Sequence, residues 1–316
     1  MVVPAHSVWK IGNNGKRKNQ ELPTETGRQG GGSHHGKIKK ENKMKMRKLL
    51  VLSMAVAVCS IAVAGPDWTN GSGDGLWTTG ANWTGGLAPA TGGADNNPAI
   101  HGQAVGPTIN ADVGVVFNVW HGVFGTQPGA LVMTTGGKLV SNEYTLGAQN
   151  DSYNDAVITM DGGWLQANKF KIGDSQSGRV DISGGVMTAY NAGNQLLVGA
   201  TGQPWSRGKL NITGTGDVRA DALLMNTGGV QTDSRILIND SGVLKIRGDQ
   251  TGGGTDLMSY IGSGWIHTTD SGKWIDATYD ATWNETVVTA IPEPATLGMV
   301  VLLGGGMLWI RKRLMI

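Results

Sequence analysis

Cysteine is almost absent. The 316 residues contain one, Cys59, and it lies in a segment that reads as a removable leader. The mature chain then has no disulfide to hold it, even in an oxidising compartment. Val58 precedes Cys59 and is too bulky a neighbour for the lipid-attachment pattern, which sets aside a lipoprotein. Basic residues are scarce between the two ends. Of 26 Lys and Arg, 12 lie in residues 1–64 and 3 in the tail, while residues 65–290 hold 11 basic and 20 acidic groups, a balance near −9. Such a body argues against nucleic acid and anionic membranes as partners. Its glutamates are limited to Glu143 and Glu285, which leaves few candidates for a catalytic acid of raised pKa. Its histidines, His101, His121 and His267, have no ligand spacing to one another, so no zinc site is expected.

Residues 1–43 lack any apolar period and are rich in Lys, Arg, Asn and Gly. They read as an over-called start or a disordered basic arm, with the true initiator at Met44 or Met46; the pair His34 and His35 is too little for a metal site. Residues 44–64 have the order of a signal peptide. Arg47 and Lys48 form the basic region, Leu49 to Val58 the apolar core, and Ala62-Val63-Ala64 a small-residue cleavage site that leaves Gly65 as the new N-terminus.

Helical periodicity is nearly missing from the body, and glycine is abundant. In its place, residues 129–290 carry a repeat. The runs ALVMTTGGKLV, AVITMDGGWLQ, RVDISGGVMTA, KLNITGTGDVRA and RILINDSGVLKI each alternate apolar with other residues, turn at a small polar cluster ending in Gly, and resume. Their closing glycines, Gly137, Gly163, Gly185, Gly216 and Gly242, are 26, 22, 31 and 26 residues apart. A second signal follows each turn: Thr145-Leu146-Gly147, Lys171-Ile172-Gly173, Leu197-Val198-Gly199, then Leu224-Met225-Asn226, with a later copy expected at Tyr260-Ile261-Gly262.

Alternation with a period of two places Leu131 and Met133, Ile158 and Met160, Val180 and Ile182, Leu210 and Ile212, and Ile236 and Ile238 on one face. One such unit cannot bury that face alone, whereas coils stacked about 4.8 Å apart can. The fold class expected is therefore all-β: a single-stranded, right-handed parallel β-helix of about five coils, with Gly and Asn supplying left-handed corners. An N-terminal signal helix and a C-terminal transmembrane helix would flank it. The alternative is an antiparallel β-sandwich, in which the same turns close hairpins.

Residues 65–128 form a tryptophan-rich head, DWTNGSGDGLWTTGANWTGGLAP, with Trp68, Trp77 and Trp83 among Gly, Asn and Thr. The stretch resembles the opening of secreted PEP-CTERM and autotransporter-type passenger proteins, where it precedes a β-helix. Two roles suit these indoles: a cap over the first coil, or a platform on which sugar rings stack. At the other end, Trp265, Trp274 and Trp283 form a similar set, and 282–289 alternate as a last strand.

Residues 291–316 have three parts in order: Pro292-Glu293-Pro294, the uncharged apolar run Ala295 to Ile310, and Arg311-Lys312-Arg313. Proline sets a clean helix start, and the basic triplet holds the far end on the cytoplasmic side. The run of 16 residues spans about 24 Å against roughly 30 Å of hydrocarbon, and Gly304 to Gly306 weaken it further, so it is a poor permanent anchor. The segment resembles the PEP-CTERM sorting signal. That resemblance implies a membrane enzyme, exosortase, as partner, transient inner-membrane insertion through the C-terminal helix, cleavage near Pro292-Glu293-Pro294, and release to the cell surface or matrix.

Catalytic constellations are thin. Gly173-Asp174-Ser175 matches a fragment of a hydrolase motif but falls on a repeat corner, without a positioned base. Asp151 and Asp155, and Asp217 and Asp221, are paired in sequence but read as solvated loop acids. No carboxylate or basic cluster recurring on one stacked face is apparent in the runs. No cofactor is expected, although Asp- and Asn-rich loops could hold weak Ca²⁺. The function expected is that of an exported structural or adhesion protein, not an enzyme; the alternative is a carbohydrate-binding or carbohydrate-active β-helix protein meeting extracellular polysaccharide.

Overall fold

The computed structural model describes residues 65–89, 96–100, 105–122, 129–147, 156–189, 195–199, 206–226 and 234–293, all within one compact unit. The basic arm, the signal peptide with Ala62 and Ala64, and the tail from Pro294 through Arg311, Lys312 and Arg313 lie outside the described residues, as do His101, Asp151 and Asp155. Among the described residues no helix is long and apolar enough to cross a membrane.

The chain forms an all-β parallel solenoid of about five coils. Its strands are β1 (Ala99–Ile100), β2 (Thr108–Ile109), β3 (Asp112–His121), β4 (Ala130–Met133), β5 (Lys138–Leu146), β6 (Ala156–Ile172), β7 (Ser177–Ala189) and β8 (Gln195–Val198). They continue as β9 (Arg207–Ile212), β10 (Asp217–Ala220), β11 (Ala222–Met225), β12 (Arg235–Ile238) and β13 (Val243–Arg247). One helix, α1 (Asp256–Gly262), follows, then β14 (Ile266–His267), β15 (Lys273–Asp280) and β16 (Glu285–Pro292).

Three parallel ladders run through the solenoid. Face I stacks β2, β4, the start of β6, the start of β7, β9, β12 and β14. Face II stacks the first parts of β3 and β5, the middle of β6, the end of β7, β10 and β13. Face III stacks β1, the ends of β3, β5 and β6, then β8 and β11. The parallel register rules out the antiparallel sandwich: the polar turns carry the chain from one face to the next and do not fold it back. The residues after the five closing glycines, Lys138, Trp164, Val186, Asp217 and Val243, are register partners in that order, so the uneven intervals are the lengths of successive coils.

Inside, like sits on like. Leu131, Ile158, Val180, Leu210, Ile236 and Ile266 stack on face I, and Leu139, Leu165, Met187, Val218 and Leu244 on face II, all at most 1% exposed. Burial contributes about 1.5–3 kcal/mol per such side chain, so each rung is stabilised by the next. Along β5 the inward positions shift from Leu139 and Ser141 to Tyr144 and Leu146, leaving Asn142 and Glu143 outward together. That slip in parity is the corner between faces II and III. Asn118, Asn142 and Asn168 mark it on three coils, the Asn142 amide donating to Asn118 at 3.3 Å and the Asn168 amide to Asn142 at 3.2 Å.

The corner from face III to face I depends on glycine. The N–H groups of Gly147, Gly173, Gly199 and Asn226 donate to His121, Leu146, Ile172 and Val198, each one coil back. The three glycines have φ of 72°, 73° and 75°, and a Cβ on Gly173 would strike the Arg207 carbonyl. Asn226 keeps the hydrogen bond without positive φ.

The ends depart from this pattern. Asp67 and Leu76 bridge in parallel to Ala99 and Thr108, so the head is itself a partial coil, and the ladders start well before residue 129. At the other end Tyr260-Ile261-Gly262, expected as a further strand copy, lies in α1. Gly252 to Gly254 break the strand pattern, and Leu257, Tyr260 and Ile261 then recur at helical spacing. Two of these, Leu257 and Tyr260, are buried, and the Tyr260 hydroxyl accepts the Met225 N–H of β11 at 3.3 Å. The alternating stretch 282–289 does lead into a final strand, but β16 pairs antiparallel with both β13 and β15.

Candidate functional site

Trp68, Trp77 and Trp83 are only 1–2% exposed. Trp83 lies edge-on to both others, with ring centroids 5.1 Å from Trp68 and 4.7 Å from Trp77. Trp68 Nε1 donates to the Val105 carbonyl at 2.9 Å and Trp83 Nε1 to that of Trp77 at 2.7 Å. The sugar-stacking role considered for these three is therefore corrected: their faces meet each other and the core, and none is offered to a ring from solvent. A polar loop ties the cluster shut. Asp74 accepts from the Leu76 N–H, Thr79 Oγ1 and the Asn82 amide at 2.9, 2.7 and 2.5 Å, while buried Asn82 accepts from Ser72. These donors, the Leu76 N–H foremost, hold the Asp74 carboxyl well below the usual carboxylate range.

Several acids of the faces are matched to cations on their own or the neighbouring coil. Lys171 lies 2.7 Å from Glu143 and 3.6 Å from Asp174, which makes the aspartate of Gly173-Asp174-Ser175 part of an ion pair. Asp217 and Asp221 are not solvated loop acids. Asp217 opens β10 and binds Arg219 at 2.6 Å and Lys245 at 2.9 Å; Asp221 is buried at the next corner, 2.8 Å from Arg247. Burial raises the Asp217 pKa, but hydrogen bonds from Arg219 and Lys245 outweigh it and leave it below the ordinary value.

His121 points inward on face III, between Ile100 and Leu146, and is fully buried. Its Nδ1 is 3.1 Å from the Tyr144 hydroxyl, and desolvation pulls its pKa down to about 4. His267, on β14, is pushed down by burial and then by the charge of Arg235. Among the described residues no group of three His, Cys, Asp or Glu could hold a metal ion, so the Asp- and Asn-rich loops described give no cluster for Ca²⁺.

Two surface features remain. The first is a set of exposed indoles: Trp120 on face III, Trp164 on face II, Trp274 on β15, and Trp283 at the hairpin turn, between 39% and 72% exposed. Trp164 stands beside Lys138 on one neighbouring rung and Val186 on the other. The second is a column on face I. Arg179, Lys209 and Arg235 are register partners on three successive coils, one cation for each rise of about 4.8 Å, and Arg207 lies two residues before Lys209 on the same outward parity. This is a recurring basic cluster that the sequence reading did not find. Its signal was present, since the three cations open the runs RVDISGG, KLNITGTG and RILINDSG.

Comparison with family models, curated proteins and solved structures gives no match.

Proposed function

We propose that the chain is an exported cell-surface or extracellular-matrix protein with a structural or adhesive task, its solenoid acting as a stiff spacer. The observation that carries this reading is the closure of the rod at both ends, by the tryptophan head and by α1 with the β15–β16 hairpin. A rod closed in this way keeps its apolar core from solvent at both ends while leaving long outer faces for matrix contacts. The coil is read as right-handed, as connections between parallel strands nearly always are.

The two chain ends support delivery outside the cell. Residues 44–64 are proposed as a signal helix cut between Ala64 and Gly65. Pro292, Glu293 and Pro294, with the apolar helix 295–310 and Arg311, Lys312 and Arg313, are proposed as a sorting signal read by an exosortase-type membrane enzyme after transient inner-membrane insertion. Mass spectrometry of the cell-surface fraction tests this. The expected result is Gly65 as N-terminus and no peptide beyond about Pro294; intact peptides covering Arg311 to Ile316 would leave a simple anchor.

The exposed indoles favour a second reading, a carbohydrate-binding or carbohydrate-active solenoid, because exposed indole faces suit pyranose rings. Incubating the full chain with neutral and acidic polysaccharides separates the two: release of reducing ends would replace the structural reading with an enzymatic one.

A further inference from the structure

Face II ends in an open strand. Among the described residues β15 pairs only with β16, which in turn covers β13. One bond fixes which backbone groups of β15 point outward. The Glu293 N–H donates to the Gly272 carbonyl at 2.8 Å, and these two residues are next in the β15–β16 register. Trp274, Asp276, Thr278 and Asp280 therefore turn their backbone groups toward β16. Ile275, Ala277 and Tyr279 turn theirs away, and no partner for them occurs among the described residues. Pro292 fits this parity, because it stands opposite Lys273, where no ladder bond between the two strands is made.

The side chains of β15 divide in the same way. Ile275 is buried and Ala277 packs against the core, so the inner side of the edge is an apolar floor. Trp274, Asp276, Thr278 and Asp280 point outward. Neither Asp276 nor Asp280 has a cation partner among the described residues: Asp276 accepts from Thr278 Oγ1 and Asp280 from the Thr282 N–H, both at 2.8 Å. Asp217 and Asp221, on the same face, are bound by Arg219, Lys245 and Arg247. Asp280 also stands beside Glu285 in register, a second acid.

We propose that the β15 edge docks an extended segment of a partner protein as an added antiparallel strand, with Lys or Arg at the spacing of Asp276 and Asp280 and apolar residues between. The outward N–H and C=O groups of Ile275, Ala277 and Tyr279 match a peptide backbone. Residues opposite Asp276 and Asp280 fall at the closely spaced, non-hydrogen-bonded positions, with Cα atoms about 4.5 Å apart, so cations there reach the two carboxylates. Residues opposite Ala277 and Tyr279 fall on the inner side, where apolar side chains extend the floor. Trp274, 47% exposed, offers its indole face to a further cation. A second copy of β15 is the poorer occupant, because its outward positions also carry two acids and no cation. Docking at this edge requires neither export nor carbohydrate binding.

The test is calorimetric titration of the full chain with the synthetic peptide Thr-Lys-Val-Thr-Val-Lys-Val-Thr and with its counterpart carrying Glu in place of both Lys. The Lys peptide is expected to bind about tenfold tighter or more, a preference that Asp276→Asn with Asp280→Asn removes. Ala277→Pro deletes an N–H that faces the open edge and should abolish binding with little change in melting temperature, whereas Thr278→Pro deletes a ladder bond to β16 and should lower it. If Ala277→Pro does not fold, the paired Asp variants carry the test. Equal binding of the two peptides overturns the assignment, as does Lys-peptide binding that survives Ala277→Pro in a folded chain. A concentration-dependent dimer that Ala277→Pro dissolves also overturns it, giving the edge to a second copy. Failure to bind either peptide overturns it too, and leaves Asp276 and Asp280 as guards against strand pairing.

Discussion

At its N-terminal end the solenoid is closed mainly by side chains, and at its C-terminal end mainly by backbone. The head keeps the parallel register through the bridges of Asp67 and Leu76 and fills the open core with three interlocked indoles. The other end treats each ladder differently. Face III meets a helix that takes up the Met225 N–H, face I ends in the two residues of β14, and face II is continued by antiparallel β16 and β15. An open coil exposes two things, an apolar core and unpaired strand groups. The head covers the first with large aromatics, while the C-terminal end replaces or reverses the strands and leaves antiparallel β15 as the edge.

The largest effect that tests this contrast is expected at the head. Trp77→Ala or Trp83→Ala should destabilise the chain by about 3–5 kcal/mol through loss of buried surface and the cavity left behind. Urea denaturation followed by circular dichroism measures it, and a loss under about 1 kcal/mol would deny the head its sealing role.

His121 gives the next effect, near the same end. The folded protein holds the ring neutral down to about pH 4, whereas the unfolded chain takes up the proton near 6.5. Stability from this source is complete above pH 6.5 and is lost as the pH falls toward 4, by about 3 kcal/mol in all. His121→Leu should flatten the stability profile over that window while leaving the lower-pH losses from Asp217 and Glu143, whose folded pKa values are also depressed. An unchanged slope between pH 6.5 and 4 would mean the imidazole is not held neutral.

Glycine separates the regular coils from the C-terminal approach. Gly199→Ala forces a side chain into φ of 75° against Ser234 and should cost about 1–3 kcal/mol. Gly253→Ala, ahead of α1, meets open space at ordinary φ and should be neutral or slightly stabilising. Equal melting-point changes for the two would contradict the corner geometry. The smallest effect is expected at Trp283, 72% exposed on the hairpin turn, where Trp283→Ser should shift stability by no more than about 0.5 kcal/mol.

The regular coils were the most legible part of the sequence because their signals are local. Alternation around Ile158 and Met160, or Val180 and Ile182, marks the inward positions, and the closing glycines mark coil length directly. The C-terminal end was less so. Tyr260-Ile261-Gly262 resembles a strand copy over three residues, and only the spacing of Leu257, Tyr260 and Ile261 with the glycines before them reveals a helix. The reversal of β16 has no local signature, since alternation is the same in either direction. The cation column was visible only once the runs were stacked in register, because Arg179, Lys209 and Arg235 are 30 and 26 residues apart. The tryptophans were legible as a cap over the first coil, one of the two roles read for them, while Gly, Asn and Thr around them kept a sugar platform open until their burial decided for the cap.

The central claim, parallel stacking in a fixed register, is tested most directly at Tyr144 and Phe170. Their rings lie 26 positions apart in sequence, fully buried, with centroids 4.9 Å apart and planes within 4°. The chain has three Phe and five Tyr, so selective labelling resolves the pair in a nuclear Overhauser spectrum. Strong cross-peaks between the ring protons of Tyr144 and Phe170 are predicted. Their absence, with Phe170 contacting residues other than its rung neighbours Tyr144 and Leu196, would contradict the stacked coil.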